Sequence, residues 1–177
     1  MSFHRMDQAT AEQWRDVSAD PDSVVPTRAD RSLAQLRGLA ANVGGFAVDE
    51  LVHSLQCAAY AERDGASDEL ILAALFHDAG HLFGDIDHGA IAAELIAPFV
   101  ASDIAQVVRH HNDFTSRHYA RFFDADPDKR EKHRGQPWFE QAEQFADEWD
   151  QRSFDPTFAT PPLEHFEPLV RALIIEG

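Results

Sequence analysis

Apolar residues along the chain recur at helical spacing, and nowhere do they settle into the strict alternation of a half-buried strand. Thr27 followed by Asp30 reads as a helix start, with Leu33, Leu36 and Ala40 on one face and Gly44-Gly45 as the stop. Asp49 caps a helix over about 50–63 that ends at Gly65. Ser67, with Asp68 and Glu69 in the first turn where the helix dipole favours acid, opens the next one. That helix is apolar from Leu70 to Phe76 and runs straight into His77-Asp78. After a loop at Gly84-Asp85-Ile86-Asp87, Asp87 is expected to cap a helix from His88 to Ala97, broken by Pro98. Ser102 is expected to cap another, reaching His111.

From Asp113 to Gln136 the pattern is poor: a helical piece at Arg117-His118-Tyr119, then a charged segment. Pro137 suits a first helical turn. Trp138, Ala142, Phe145 and Trp149 mark one face of a helix ending near Asp150. Phe154–Pro162 carries three prolines and reads as extended loop; Leu163–Ile175 returns to helix, with Pro168 forcing a break or restart. Residues 1–26 read as a short polar extension that closes in the turn-rich connector Ser18–Ser23. The expectation is an all-α protein: an N-terminal extension over 1–26, and one helical bundle over 27–177.

The placement of histidines changes that picture from a plain bundle to one with chemistry. His88 shares its face with Ile91, Ala92 and Leu95, and His111 shares its face with Ile104, Val107 and Val108. His110 falls on the other side, with Asp103 and Gln106. His53 lies with Gln56, Cys57 and Tyr60; Asp150 lies with Phe139 and Ala146. One inward histidine is ordinarily a hydrogen-bonded core residue. Four of them with two aspartates on five helices point to a bound cation, because ionisable groups beside apolar ones are costly unless compensated. Imidazole and carboxylate donors suit iron, zinc, manganese or nickel, and the lone Cys57 makes a thiolate or copper site a poor match.

The chain has 177 residues, enough for one domain with an ample core. Its formal charge of −16, with Lys129 and Lys132 as the only lysines, argues against a nucleic-acid partner and against an anionic membrane surface. No apolar run is long enough to span a bilayer, and Met1–Arg15 lacks a signal-peptide core, so the expected location is the cytoplasm. A single cysteine excludes an internal disulfide and fits a reducing compartment. Trp138, Phe145 and Trp149 read as core and Cys57 as a small buried residue. His4, His118, His133 and His165 read as surface or loop histidines, and Asp124–Arg134 as a solvated connector.

The order His53 … His77-Asp78 … His88 … His111 … Asp150 resembles the HD-domain superfamily of metal-dependent proteins. Leu51–Ala58, Gly65-Ala66 and Ala73–His81 are similar to the phosphonate-cleaving members of its mixed-valence diiron oxygenase branch. The His53-x-x-Gln56-x-Ala58 element also resembles the one in myo-inositol oxygenase. Trp149-Asp150, with Glu164-His165-Phe166 after the long loop, is similar to the C-terminal part of the phosphonate enzymes. The likeness covers about residues 40–170.

It implies an HD-type bundle with a dinuclear centre in its core. His53, His77, Asp78 and Asp150 would hold one iron, and Asp78 would bridge to a second held by His88 and His111. The ions would be an Fe(II)/Fe(III) pair, with manganese, zinc or nickel as alternatives. The substrate would be a small hydroxylated molecule consumed with O2, a C–C or C–P bond being cleaved oxidatively. Asp78 and His81 would be the catalytic residues, with His81 contacting substrate together with Gln56, Phe46 and Arg117.

Departures from the family pattern bear on the substrate. Val43 and Phe46 stand where phosphonate-cleaving members carry a tyrosine and a glutamate. Thr115 stands in place of the phosphonate-binding lysine, Arg117 replacing it only with a two-residue insertion, and Asp147 stands in place of an arginine, where it would repel an anion. The implied metal centre is therefore retained while the phosphonate pocket is not. Two other readings stay open: a metal-dependent phosphohydrolase, for which Arg109, Arg117 and Arg121 are the nearby cations, and a metal-stabilised binding module without turnover.

Overall fold

The computed structural model describes residues 3–18, 27–84 and 86–175, and among them every regular element is helical. The α-helices are α1 (Ala11–Ser18), α2 (Arg28–Gly38), α3 (Glu50–Arg63), α4 (Asp68–Phe76), α5 (His88–Ile96), α6 (Ser102–Tyr119), α7 (Phe139–Gln144) and α8 (Leu163–Leu173). Of the expected connector only Ser18 falls within the described residues, where it ends α1; the rest of it, and Asp85 of the loop before α5, lie outside them. No described helix is long and apolar enough to cross a membrane.

Capping follows the local sequence for α2, α3 and α4. Thr27 and Asp30 form a reciprocal capping box, Asp49 Oδ1 accepts from Val52 N at 2.9 Å, and Ser67 Oγ accepts from Leu70 N. The next two caps differ from expectation. Asp87 sits at the start of α5 in the left-handed region (φ 54°) and its side chain makes no cap bond. Ala101, not Ser102, is the residue before α6.

Helix α6 also runs eight residues beyond His111, to Tyr119. Its second half stays inward through Phe114, fully buried, and through polar residues whose hydroxyls bond back to the helix: Thr115 Oγ1 to His111 O and Ser116 Oγ to Asp113 O. Apolar periodicity cannot register a buried face built that way. Pro137 lies just outside α7, whose N-cap is Trp138. Helix α8 passes over Pro168 without a break. The bond lost there falls on the carbonyl of Glu164, and both residues are on the exposed side.

Helices α3 and α4 pack as one pair and α5 and α6 as another, while α7 with its continuation lies across α3 and α6, and α8 backs onto α2 and α4. The centre is apolar: Leu72, Leu75, Phe76, Val107, Val108, Phe114, Phe145 and Trp149 are all essentially inaccessible. Helix α4 is buried on every side from Leu70 to Phe76, which is why its apolar run is continuous rather than striped. The core aromatics and Cys57 are therefore where their chemistry puts them. The Asp124–Arg134 run is not solvated throughout: Arg130 is buried and bonds Asp147 at 3.1 Å.

Candidate metal centre

Consecutive residues on a regular helix diverge by about 100°, so His77 and Asp78 can both face one point only if the helix ends between them. It does. Phe76 is the last α-helical residue of α4, His77 is its cap, and Asp78 takes up φ −101°, ψ 5°, the bridge region between helix and strand. The chain then turns tightly through Ala79–Leu82, which carries His81 back towards the same point. On the far side, the helix begun by α7 widens into a π-helical turn at Phe145–Trp149. The wider turn lets Asp150 and its neighbour Trp149 both be buried, Asp150 keeping the face of buried Phe139 and Ala146. Trp149 is anchored there by Nε1–H donating to Asp64 Oδ2 at 2.7 Å.

Six side chains from separate elements thus meet: His53 of α3, His77 and Asp78 after α4, His88 of α5, His111 of α6 and Asp150. Asp78 divides them into two groups. Its Oδ2 lies 3.3 Å from both His53 Nε2 and His77 Nε2, and its Oδ1 lies 3.3 Å from both His88 Nε2 and His111 Nε2. In the first group His53 Nε2 and His77 Nε2 are 3.0 Å apart, with Asp150 Oδ1 at 3.3 and 3.7 Å from them. In the second, the Nε2 atoms of His88 and His111 are 3.2 Å apart, and Asn112 Nδ2 donates to His88 Nε2 at 3.0 Å.

These donors fit a pair of metal ions on two grounds. Donors bound to one ion at about 2.1 Å sit about 3.0–3.4 Å apart in octahedral or tetrahedral geometry, which is the spacing found within each group apart from the 3.7 Å between His77 Nε2 and Asp150 Oδ1. The tautomers agree as well. Nδ1 of His53, His77 and His111 lies 2.7–2.9 Å from the carbonyls of Ser153, Ala74 and Val108. A carbonyl only accepts, so each Nδ1 carries hydrogen and each Nε2 is left with a lone pair aimed at the centre. Lone pairs facing each other at 3.0 Å between buried rings require a cation between them, a proton or a metal.

The electrostatics express the same demand for a cation. Burial disfavours a charged His53, but hydrogen bonds to Asp150 and Asp78 outweigh it and raise its pKa to about 9; His77 is pushed up by the same two carboxylates against the same burial. Against their own burial, Asp78 and Asp150 are held below the ordinary carboxylate range, chiefly by His77. In the metal-free protein a proton therefore competes for Nε2 at neutral pH. Affinity for metal should rise from pH 6 to about 9, by about tenfold per pH unit for each proton displaced, and level off above it. Titration calorimetry in buffers of different ionisation enthalpy checks this, since proton release on binding must be seen at pH 7.

Two glycines that site-directed reading of the sequence passes over bring the second group together. A Cβ on Gly80 would lie 2.1 Å from His88 O, so the turn after Asp78 can press against the start of α5 only without a side chain. A Cβ on Gly89 would meet Arg109 O, Val108 O and His111 Nδ1 at 3.0–3.2 Å, so α5 and α6 close up at the level of the two histidines. The spacing of these glycines from His77-Asp78 and His88 is the only trace in the sequence.

A cavity of about 570 Å³ opens over the centre. Its floor includes His53, Asp78, His88, His111 and Asp150; His77 is wholly covered. His81 lines it, stacked on His88 with centroids 3.8 Å apart and its Nε2 4.0 Å from Asp78 Oδ1. Phe46 lines it too, stacked on Phe154 at 4.4 Å, and Phe154 in turn stacks on His53 at 4.2 Å. Tyr119 and Phe123 line it as well, and no described lining residue is lysine or arginine.

Arg117 is exposed on α6 and does not line the cavity; His118, expected at the surface, does. Its Nε2 donates to Asp147 Oδ1 at 2.9 Å, and Asp147 also accepts from buried Arg130. Asp147 is thus balanced by two cation-capable partners rather than left to repel an anion.

Gln56 is buried and spent on the loop after Asp150: Nε2 donates to Asp155 O at 2.8 Å and to Thr160 Oγ1, while Oε1 accepts from Asp155 N. A Gln56→Ala protein should lose about 1–3 kcal/mol of stability with its metal content intact. Urea unfolding beside metal analysis measures both; lost metal at unchanged stability would move Gln56 into the site.

The HD domain family model matches residues 51–151, a span that opens two residues before His53 and closes one after Asp150. The [1-hydroxy-2-(trimethylamino)ethyl]phosphonate dioxygenase (glycine-betaine-forming) of Leisingera caerulea is 39% identical over 70 residues, covering 33% of this chain and 36% of that protein. The match therefore spans about a third of the relative's length. With more than half of its residues under the family model, the chain belongs to the HD domain family.

Proposed function

We propose that this protein is a dinuclear iron oxygenase that uses O2 to cleave a C–C or C–P bond of a small hydroxylated substrate, without the phosphonate pocket of the family members it resembles. The observation that carries the reading is the shared carboxylate of Asp78, each oxygen facing its own pair of imidazoles, beneath a cavity with no lysine or arginine among its described lining residues. His53, His77, Asp78 and Asp150 would hold one ion and Asp78, His88 and His111 the other. Bound as a ferrous–ferric pair, the ions supply Lewis acidity and the electrons that dioxygen accepts. The likeness to a dioxygenase supports oxidation over hydrolysis, and so does a described lining without lysine or arginine, since a phosphoryl group needs cationic partners.

The chain's own residues have separable tasks. His81 is half-buried at the cavity floor, within reach of a substrate hydroxyl, and Nε2 can take or return its proton. Phe154 covers His53, with Phe46 stacked on it, and Tyr119 and Phe123 add apolar surface to the cavity lining. His118, held by Asp147, joins Asn112, Thr115 and Gln151 as a polar lining group able to meet a bound molecule.

Anaerobic purification with metal analysis tests the reading. About two irons per chain, and the EPR signal of a coupled Fe(II)/Fe(III) pair after partial oxidation, are expected. One zinc or manganese with turnover of a phosphate ester would assign a hydrolase instead. His81→Ala should keep both ions and abolish O2 uptake driven by a panel of hydroxylated compounds; full uptake in that variant would remove His81 from the substrate site.

A further inference from the structure

Outside the central cavity, one other group of side chains among the described residues has metal-binding composition. His110 and Asp113 are three residues apart on the face of α6 turned away from His111, and His133 reaches them from the turn Lys129–His133. Asp113 Oδ2 lies 2.8 Å from His133 Nε2 and 3.8 Å from His110 Nδ1, and all three donor atoms fall within 4.8 Å of one another. We propose that these residues form an outer, mononuclear site for a divalent first-row ion such as zinc or nickel, separate from the HD centre.

Three features support it. The rings are held in place: His110 stacks on Trp138 (5.2 Å, 14°), His133 stacks on Phe114 (5.8 Å, 13°), and the two imidazoles are 4.4 Å apart. Both aromatic supports are buried, so the imidazole edges that meet Asp113 are preorganised rather than recruited from solvent. Two imidazoles and one carboxylate make a donor set that leaves coordination positions to water, and partial exposure of all three side chains gives an ion a path in.

The competing occupant is Lys132, whose Nζ lies 3.0 Å from the same Oδ2; that side chain is 60% exposed and can swing out as an ion enters. The ion would clamp the segment around Arg130 onto α6, one residue from His111.

The metal alone is the probe. By equilibrium dialysis against zinc, the metal-free wild type should bind one equivalent more than His133→Gln or His110→Gln, with helical circular dichroism unchanged in both variants. Nickel should quench Trp138 fluorescence in the wild type and lose that effect in His133→Gln. Equal zinc stoichiometry in wild type and both variants would overturn the outer site.

The same measurements in Asp78→Asn keep the two proposals apart. One equivalent retained there, and lost when His133→Gln is added, supports the outer site whatever the fate of the central ions. No binding in a folded Asp78→Asn protein overturns it while leaving the dinuclear reading intact. If Asp78→Asn does not fold, the comparison of wild type with His110→Gln and His133→Gln decides the matter alone.

Discussion

An Asp78→Ala protein should hold neither ion at the centre. Each carboxylate oxygen lies at 3.3 Å from two imidazole nitrogens, so one truncation removes a donor from both groups at once. Loss of an outer partner alone typically costs a metal site about 10–100-fold in affinity, and loss of a shared donor should cost each position more than about a hundredfold. Asp150→Ala and His111→Ala provide the contrast, since each touches one group only and should strip one ion and spare the other. Metal analysis in a His133→Gln background keeps the outer cluster from contributing. The metal-free Asp78→Ala protein should also be less stable by about 3 kcal/mol, because the raised pKa of His53 and His77 reflects charge that Asp78 helps to balance. Retention of both ions in this variant would remove the bridging role altogether.

Gly80→Ala should be as damaging to the second ion position as a ligand substitution, although glycine binds nothing. The added methyl would stand 2.1 Å from His88 O and 2.7 Å from both the Cα and carbonyl carbon of that residue. Those are backbone atoms of the first residue of α5, so no rotamer change relieves the clash; the helix itself must move, and His88 moves with it. A loss of about 4 kcal/mol is expected, and at about 2–4 °C per kcal/mol for a chain of this size the midpoint of thermal unfolding should fall by about 8–16 °C. The His53–His77 position should retain its ion. Gly89→Ala is the graded comparison: its contacts at 3.0–3.2 Å are tight rather than impossible, and the gain in helix propensity, about 1 kcal/mol, offsets part of the strain. A Gly80→Ala melting curve that overlays the wild type would show that the turn after Asp78 is not pressed against α5 in solution.

Much of the architecture is written locally. The starts of α2, α3 and α4 follow from Thr27 with Asp30, from Asp49 and from Ser67, because an N-cap is satisfied within three residues of itself. The inward choice of His111 over His110 follows from 3.6-residue periodicity alone. Local rules failed where the deciding partner was distant. The second half of α6 looks irregular because its buried face contains serine and threonine that bond back to the helix. Residues 124–134 look like a solvated run because nothing nearby in sequence shows that Arg130 will be buried against Asp147. His118 and His133 look like surface histidines for the same reason, their partners Asp147 and Asp113 lying 29 and 20 positions away.

Sequence by itself thus determined the class of fold, the helix starts with side-chain caps and the residue types able to hold metal, since propensity, capping and donor chemistry reside in single residues and their near neighbours. Tertiary structure alone decided which oxygen of Asp78 faces which imidazoles, how closely α5 approaches the turn at Gly80, and the widened helical turn that buries Trp149 and Asp150 together. Those are distances between elements far apart in the chain, fixed to a few tenths of an ångström by packing, and no local pattern encodes them.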